Sequence, residues 1–353
     1  MDEFELIQTY FAASSAAQEG HGLNHKQAVG IGDDAALLAP VPPGQQLVVT
    51  TDSLVEQRHY LPDVDPEALG HKALAVSLSD LAAMGASPWA FTLNLHLRAI
   101  RKPWLEAFSK GMNALALKHR IALVGGDTVR VQTEEAVVIT AMGLAPFGQS
   151  LLRSGLQSGD DLWVSGSLGD GAWALKNKPL ARKLVWPEPQ LALGLALREQ
   201  QLAHAAIDIS DGLASELDHL LNRSSARTQG LELSAHIQFT SLSQCLGPEL
   251  QQAVDQGLLS LEEACLLAVQ SGDEYELLFS APASVRRALK KLSETLKQRL
   301  TRIGRIEGVA PGHGESVTPR LHWYRLNGQA LGLNQASIAG FNHFQESPTE
   351  KAG

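Results

Sequence analysis

The chain is short of cysteine, of positive charge and of long apolar runs, and each shortage excludes something. Two cysteines in 353 residues, Cys245 and Cys265, have no partner spacing for zinc or redox work and read as buried thiols of a reducing compartment. A net charge of −9 argues against a nucleic-acid or anionic-membrane surface and suits a protein that holds cations. No apolar run approaches the roughly eighteen residues that span a bilayer, and the opening Met1-Asp-Glu-Phe-Glu5 is acidic rather than a signal sequence. The expectation is a cytoplasmic protein with neither membrane nor nucleic acid as partner. Common catalytic signatures are also missing. There is no HExxH, no G-x-S-x-G and no Cys–His pairing, and the lack of G-x-x-x-x-G-K-[ST] excludes the Walker A route to a nucleotide.

What is present is a recurring phrase: an acid with glycine, serine or threonine beside it, after a strand-like run. In Val29-Gly-Ile-Gly-Asp-Asp34, Gly30 and Gly32 let the backbone pass close to a ligand. Asp33 and Asp34 have no Lys or Arg within six residues, and adjacent like charges are costly without a cation nearby. The phrase returns at Thr50-Thr-Asp52, Gly125-Gly-Asp127, Asp208-Ile-Ser-Asp-Gly212 and Gly272-Asp-Glu274. Any one of these is simply a solvated turn or a helix cap. Together, hard oxygen donors at this density suit Mg²⁺, which keeps company with phosphates. Phosphoryl transfer and non-catalytic metal binding both remain open on this ground.

In chain order, residues 3–18 read as one helix. Gln46 to Asp52 reads as a buried strand delivering Thr50, Thr51 and Asp52 at its C-terminal end, followed by a loop with Arg58 and His59. Asp65-Pro66-Glu67 starts a helix running to about Met84. It is apolar nearly all round, which puts Asp80 in packed surroundings, as a metal or phosphate ligand, a local cap or half of a buried ion pair. Phe91–Leu97 alternates as a half-buried strand with His96 on its polar face. A helix follows from Lys102 to Lys118, then a strand from Ile121 that ends in a Gly-Gly-Asp127 turn, then a strand from Glu135 to Leu144. This first domain, residues 1–146, is mixed α/β with its acids at strand ends. From residue 147 the pattern restarts. A strand over 161–166 leads into Ser167–Trp173, a glycine turn whose amides suit an anion. A strand over 205–209 leads into a helix that Ser210 or Asp211 caps, leaving Asp208 unexplained. Ser260–Glu263 is a capping box. A strand follows Ser271, then a basic helix over 285–300 and a last strand over 302–307. Disorder is expected over 345–353.

Seven stretches, taken together and in this order, resemble the thiamine-monophosphate kinase family. They are Gly30-Ile-Gly-Asp-Asp-Ala, Thr51-Asp-Ser-Leu-Val, Leu74-Ala-Val-Ser-Leu-Ser-Asp-Leu-Ala-Ala-Met-Gly-Ala, Gly125-Gly-Asp-Thr, Arg153-Ser-Gly, Asp208-Ile-Ser-Asp-Gly-Leu and the closing Gly-Phe-Asn-His-Phe344. The family lies in the aminoimidazole-ribonucleotide synthetase superfamily, which binds ATP without a P-loop. The resemblance implies a two-domain α/β fold: an N-terminal domain that dimerises through its sheet, and a C-terminal α/β domain over 147–344. It implies ATP as co-substrate, several Mg²⁺ ions, and in-line transfer of the γ-phosphoryl group to thiamine monophosphate. Carried over residue by residue, Asp34, Thr51, Asp52, Asp80, Asp127, Asp208 and Asp211 match magnesium ligands, with Thr50 as a further hydroxyl. Gly126, Asp127, Arg153 and Ser210 match the ATP site, and His59, Asp273 and Phe341 the substrate side. The implied catalytic set is Asp34, Asp52, Asp80, Asp127, Asp208 and Arg153. One departure stands out. The family's usual Gly-Glu-Asp-Tyr-Glu is Gly272-Asp273-Glu274-Tyr275-Glu276 in this chain, so the substrate-side acid is one methylene shorter. The alternatives are another synthetase of the superfamily or a non-catalytic Mg-nucleotide-binding module.

Overall fold

A computed structural model describes residues 3–18, 20–177, 181–225, 232–309 and 321–332. Phe341, the closing Gly-Phe-Asn-His-Phe motif and the 345–353 tail lie outside the described residues. The chain forms two compact units, residues 1–151 with 180–201, and residues 152–179 with 202–353.

The first unit is built on four strands, β1 (Gln45–Val55), β2 (Ser87–Leu97), β3 (Ala122–Arg130) and β4 (Ala136–Pro146), in the order β1-β4-β2-β3. β4 is antiparallel to both β1 and β2, while β2 and β3 run parallel. A parallel pair needs a long crossover, and the helix Lys102–His119 provides it. The helix Pro66–Ala83 packs on β1 and β4, with the crossover helix packed against it. Its start is as expected: the Asp65 carboxylate accepts the Glu67 amide at 3.1 Å, with Pro66 in the first turn. Close approach of the two helices requires glycine twice. A Cβ at Gly70 would stand 2.0 Å from the Phe108 carbonyl oxygen, and one at Gly111 would stand 1.9 Å from that of Glu67. On the sheet's second face, Leu23, Ala36 and Leu38 pack against Ala90, Ala122 and Val124.

Several expected elements are redrawn. The N-terminal helix is broken into Glu3–Ile7, a wide-turn segment Gln8–Ala12 and Ser15–Gln18. The break falls where the Ser14 hydroxyl accepts the Ala17 amide and so starts a new helix. β1 is an edge strand rather than a buried one. From Gln45 to Ser53 its residues alternate between exposed and half-buried, with only Leu54 buried, and Thr50–Asp52 lie in its middle. β3 does not end at Asp127. A register shift opposite Phe91 and Thr92 lets it run on to Arg130. Gly126 permits this, because a Cβ there would stand 1.7 Å from the Leu93 carbonyl oxygen.

The second unit carries β5 (Asp160–Ser165), β6 (Ala205–Asp208), β7 (Glu232–Gln238), β8 (Leu277–Pro282), β9 (Leu300–Val309), β10 (Leu321–Tyr324) and β11 (Ala330–Leu331). They form one sheet in the order β11-β10-β7-β9-β5-β8-β6. The helix Leu213–Ser225 buries Leu213, Leu217, Leu220 and Leu221 in a core shared with Ile207 and Ile237, as its leucine spacing predicts. Both cysteines are buried, and burial pushes each thiol up to about 12. The basic helix stops at Leu296, where Lys297 turns left-handed. β9 is followed by two further strands rather than being the last.

Residues 181–201 belong with the first unit. The His71 Nε2–H donates to the Pro187 carbonyl at 2.8 Å, and the His71 ring lies against Trp186. Nearby, the buried Nε2 of His119 has no hydrogen-bond partner among the described residues. Burial first, then the Lys118 charge, pushes that imidazole down to about 4. A histidine lowered in the folded state gives up stability as pH falls, because the unfolded chain takes its proton first. Its contribution is therefore complete above pH 6.5 and is lost on the way to pH 4, by up to about 3 kcal/mol. Urea unfolding at pH 7.5 and pH 5 will show a larger loss for the parent chain than for His119→Gln. Equal losses would contradict this account.

Candidate active site

The helix Pro66–Ala83 and strand β1 meet through matching periodicities. Thr50 and Asp52, two apart, project from one face of the strand, and Ser77 and Asp80, three apart, from one face of the helix. The Thr50 hydroxyl donates to the Asp80 carboxylate, and the Ser77 hydroxyl donates to Asp52 Oδ2 at 2.8 Å. Burial, then the Asp80 charge, pushes the Asp52 carboxyl up to about 6, against the lowering effect of the Ser77 bond. The expectation that Asp80 is enclosed needs correction. Only Pro66, Glu67 and Asp80 in this helix are not buried, so Asp80 is the one opening in an otherwise sealed segment. Two neighbouring carboxylates with a hydroxyl, partly withdrawn from water and open on one side, form a donor set that a small hard cation fits.

The remaining first-unit positions stand elsewhere on the sheet. Across the paired strands, Asp52, Ile139, Leu93 and Gly126 form one row, and Ser53, Val138, Asn94 and Asp127 the next. Adjacent rows project to opposite faces, so Asp127 faces away from Asp52. Thr51 faces away as well, its hydroxyl 3.0 Å from that of Thr140 and donating to the Ile139 carbonyl. Asp34 is exposed, and its amide donates to Asp33 Oδ1 at 2.9 Å. It precedes Ala36 and Leu38, which pack on this second face. Among the described residues no three His, Cys, Asp or Glu side chains gather closely enough to form a ready-made metal cluster. His59 follows β1, where its Nδ1 accepts the Val55 amide at 3.0 Å. An ion-pair network unforeseen from the sequence holds this loop. Buried Glu56 takes both terminal nitrogens of Arg98, at 2.6 and 2.7 Å, and buried Glu135 takes the Arg98 amide and Arg101.

In the second unit, Ser210, Asp211 and Gly212 turn from β6 into the helix Leu213–Ser225. The expected cap is reversed. Buried Glu216, in the helix's first turn, accepts the Asp211 amide at 3.0 Å and the Ser210 hydroxyl at 3.3 Å. Burial raises the Glu216 carboxyl, opposed in part by the charges of His219 and Arg153. Arg153 is anchored where its carbonyl accepts the Ser224 hydroxyl at 3.2 Å. Asp208 is the buried last residue of β6. Asp273 is joined to this turn, its amide donating to the Ser210 carbonyl at 2.8 Å. The glycine turn Ser167–Trp173, expected to suit an external anion, has an internal one. Glu274 Oε1 accepts the amides of Gly169 at 2.7 Å and Gly171 at 3.2 Å. The inward role of Glu274 escaped the sequence reading because its partner amides lie about a hundred residues away. Glu216, whose partners Ser210 and Asp211 are close in sequence, was signalled only as an acid in a helix's first turn.

Asp52 carries a carboxylate that its surroundings disfavour, so removing the charge relieves the fold. In magnesium-free buffer at pH 7.5, Asp52→Asn should melt above the parent, by about 2–4 °C per kcal/mol relieved. Mg²⁺ should raise the parent's melting temperature by more than the variant's. A variant that melts lower, or that gains as much from Mg²⁺ as the parent, would sink this reading.

The chain is similar to known proteins along most of its length. Residues 32–145 match the family AIR synthase related protein, N-terminal domain. It is 34% identical to the thiamine-monophosphate kinase of Haemophilus influenzae over 359 aligned residues, covering 98% of this chain and 99% of that protein. It is 36% identical to that of Escherichia coli strain K12, covering 91% and 96%. Among solved structures, the thiamine-monophosphate kinase of Stenotrophomonas maltophilia K279a superposes with a TM-score of 0.75 at 40% identity, covering 94% of this chain and 98% of that one. AaThiL, solved in complex with AMPPCP and TMP, gives 0.68 at 25% identity, covering 89% and 92%. The hydrogenase maturation protein HypE, at 19% identity and a TM-score of 0.69, shares the fold. With relatives matched at both sheets and over nearly their whole length, the chain belongs to the thiamine-monophosphate kinase family.

Proposed function

We infer that the chain phosphorylates thiamine monophosphate with ATP, giving thiamine diphosphate and ADP. ATP and thiamine monophosphate are assigned as its two substrates, as the printed ligands of AaThiL suggest. The observation that carries the reading within this chain is the Asp52–Asp80 pair. It is a costly like-charge arrangement with hydroxyls turned towards it, and phosphoryl transfer needs a cation there. Thr50, Asp52 and Asp80 would hold one Mg²⁺. Asp34, Thr51 and Asp127 on the sheet's other face, and Asp208 and Asp211 in the second unit, are assigned to further ions. Bound beside Asp52 and Asp80, Mg²⁺ would neutralise charge on the transferring phosphate oxygens.

The residues' own part is binding and orientation. The bond from the γ-phosphorus to the β,γ-bridging oxygen breaks, leaving ADP, as a phosphate oxygen of the acceptor bonds to that phosphorus. That oxygen is already ionised near neutral pH, so no strong general base is needed, and alignment carries most of the rate. Gly126, Arg153 and Ser210 are assigned to ATP, with Arg153 spreading phosphate charge. His59, Asp273 and Phe341 are assigned to the acceptor. The first unit's sheet leaves Leu47 at 45% and Val49 at 57% exposure on edge strand β1, which supports a homodimer through that face. Among the described residues no helix is long and apolar enough to cross a membrane, and a cytoplasmic location is proposed.

The test is ADP release from ATP and Mg²⁺ with thiamine monophosphate or free thiamine. Turnover is expected with the monophosphate alone, falling on the order of a hundredfold or more in Asp80→Asn. Tight ATP binding with no substrate-dependent ADP would replace the kinase with a binding module. In sedimentation, a Leu47→Lys, Val49→Lys chain should run as a folded monomer beside a dimeric parent. A parent that is itself monomeric would refute the dimer.

A further inference from the structure

Two residues of the segment Gly272–Glu276 carry unusual backbone strain. Asp273 has φ +57° and Tyr275 φ +52°, left-handed conformations that bulky residues rarely adopt. Such strain persists only where surrounding bonds over-determine it, and it collects where a group must be presented in one direction. The surrounding bonds are present. Asp273 donates its amide to the Ser210 carbonyl and Tyr275 to that of Ile209, while the Ile209 amide donates to Glu276, each at 2.8 Å. Glu276 Oε2 accepts the Ser165 hydroxyl at 2.6 Å. Glu274 points inward, where its Oε1 takes two glycine amides and the Ser271 hydroxyl. The order Asp273-Glu274 therefore sends the longer acid to the interior amides and leaves the shorter one half-buried at the surface. The Tyr275 ring is buried, and its hydroxyl donates to Asp273 Oδ1 at 2.7 Å.

We propose that Tyr275 is a positioning residue: its hydroxyl, two residues on in a strained turn, fixes the Asp273 carboxylate as a preset anion for the cationic ring of the acceptor. The proposal rests on the kinase reading above. It makes Asp273 and Tyr275 one specificity element, selecting phosphate monoesters that carry a positively charged heteroaromatic ring. The short stem of Asp273 leaves fewer rotamers to fix, and a charge-assisted bond from an anchored phenol fixes them. Because Asp273 is also bonded to Ser210, the same turn ties the acceptor side to the residue assigned to ATP.

Steady-state kinetics on full-length Tyr275→Phe, Asp273→Asn and the double variant test it. Tyr275→Phe keeps the buried ring and removes only the hydroxyl. Its KM for thiamine monophosphate should rise about tenfold, with KM for ATP within twofold and kcat nearly unchanged. Asp273→Asn should raise the same KM at least as far, and the double variant no further than Asp273→Asn alone. Parallel rises in both KM values, or additive losses in the double variant, would show a merely structural tyrosine and overturn the proposal. A parent chain without substrate-dependent ADP release would instead overturn the kinase reading beneath it.

Discussion

Everything in the first unit is arranged around two carboxylates of like charge held near each other. Asp52 and Asp80 repel, and partial burial makes that repulsion expensive. Nothing about the fold's own stability calls for the pair. The fold supplies the rigidity that keeps them together: a helix sealed on almost every side, two glycines that let its neighbour press backbone to backbone, and an edge strand paired along its whole length with β4. A site that stores repulsion in this way is stable as a structure and receptive to a cation.

The second unit handles its acids by the opposite principle. Glu216, Glu274 and Glu276 are buried, but each carboxylate meets amides or hydroxyls, so their charges are answered from within the chain. These internal anions shape the turns that carry Ser210, Asp211 and Asp273. The same residue type thus serves two ends. Where donors converge on it, an acid builds the scaffold; where another acid faces it, it calls for a metal.

The residue-level reading of the site was uneven for a physical reason. Types and local periodicity name the acids, and they also yield the Asp65 cap, the Ser260 capping box and the leucine face of the helix Leu213–Ser225. They do not say which way a mid-strand acid points. Asp127 and Asp52 look equivalent in sequence, yet strand pairing sets them on opposite faces, because one row of register inverts the side. The glycine turn Ser167–Trp173 looked ready for an external anion, and a glutamate about a hundred residues later in the chain meets its amides.

By itself the sequence determined the family, the mixed α/β class, the list of acids beside glycine and hydroxyl residues, and the absence of a P-loop. These are properties of residue identity and order. Only the tertiary structure decided that β1 is an exposed edge, that Asp80 is the opening in a sealed helix, that Glu216 and not Ser210 or Asp211 serves the Leu213 helix, and that Tyr275 grips Asp273. Those outcomes depend on how the chain turns and on which segments the fold brings together to supply each donor and acceptor. Burial and pairing across the fold fix that choice, and local sequence carries almost no record of it.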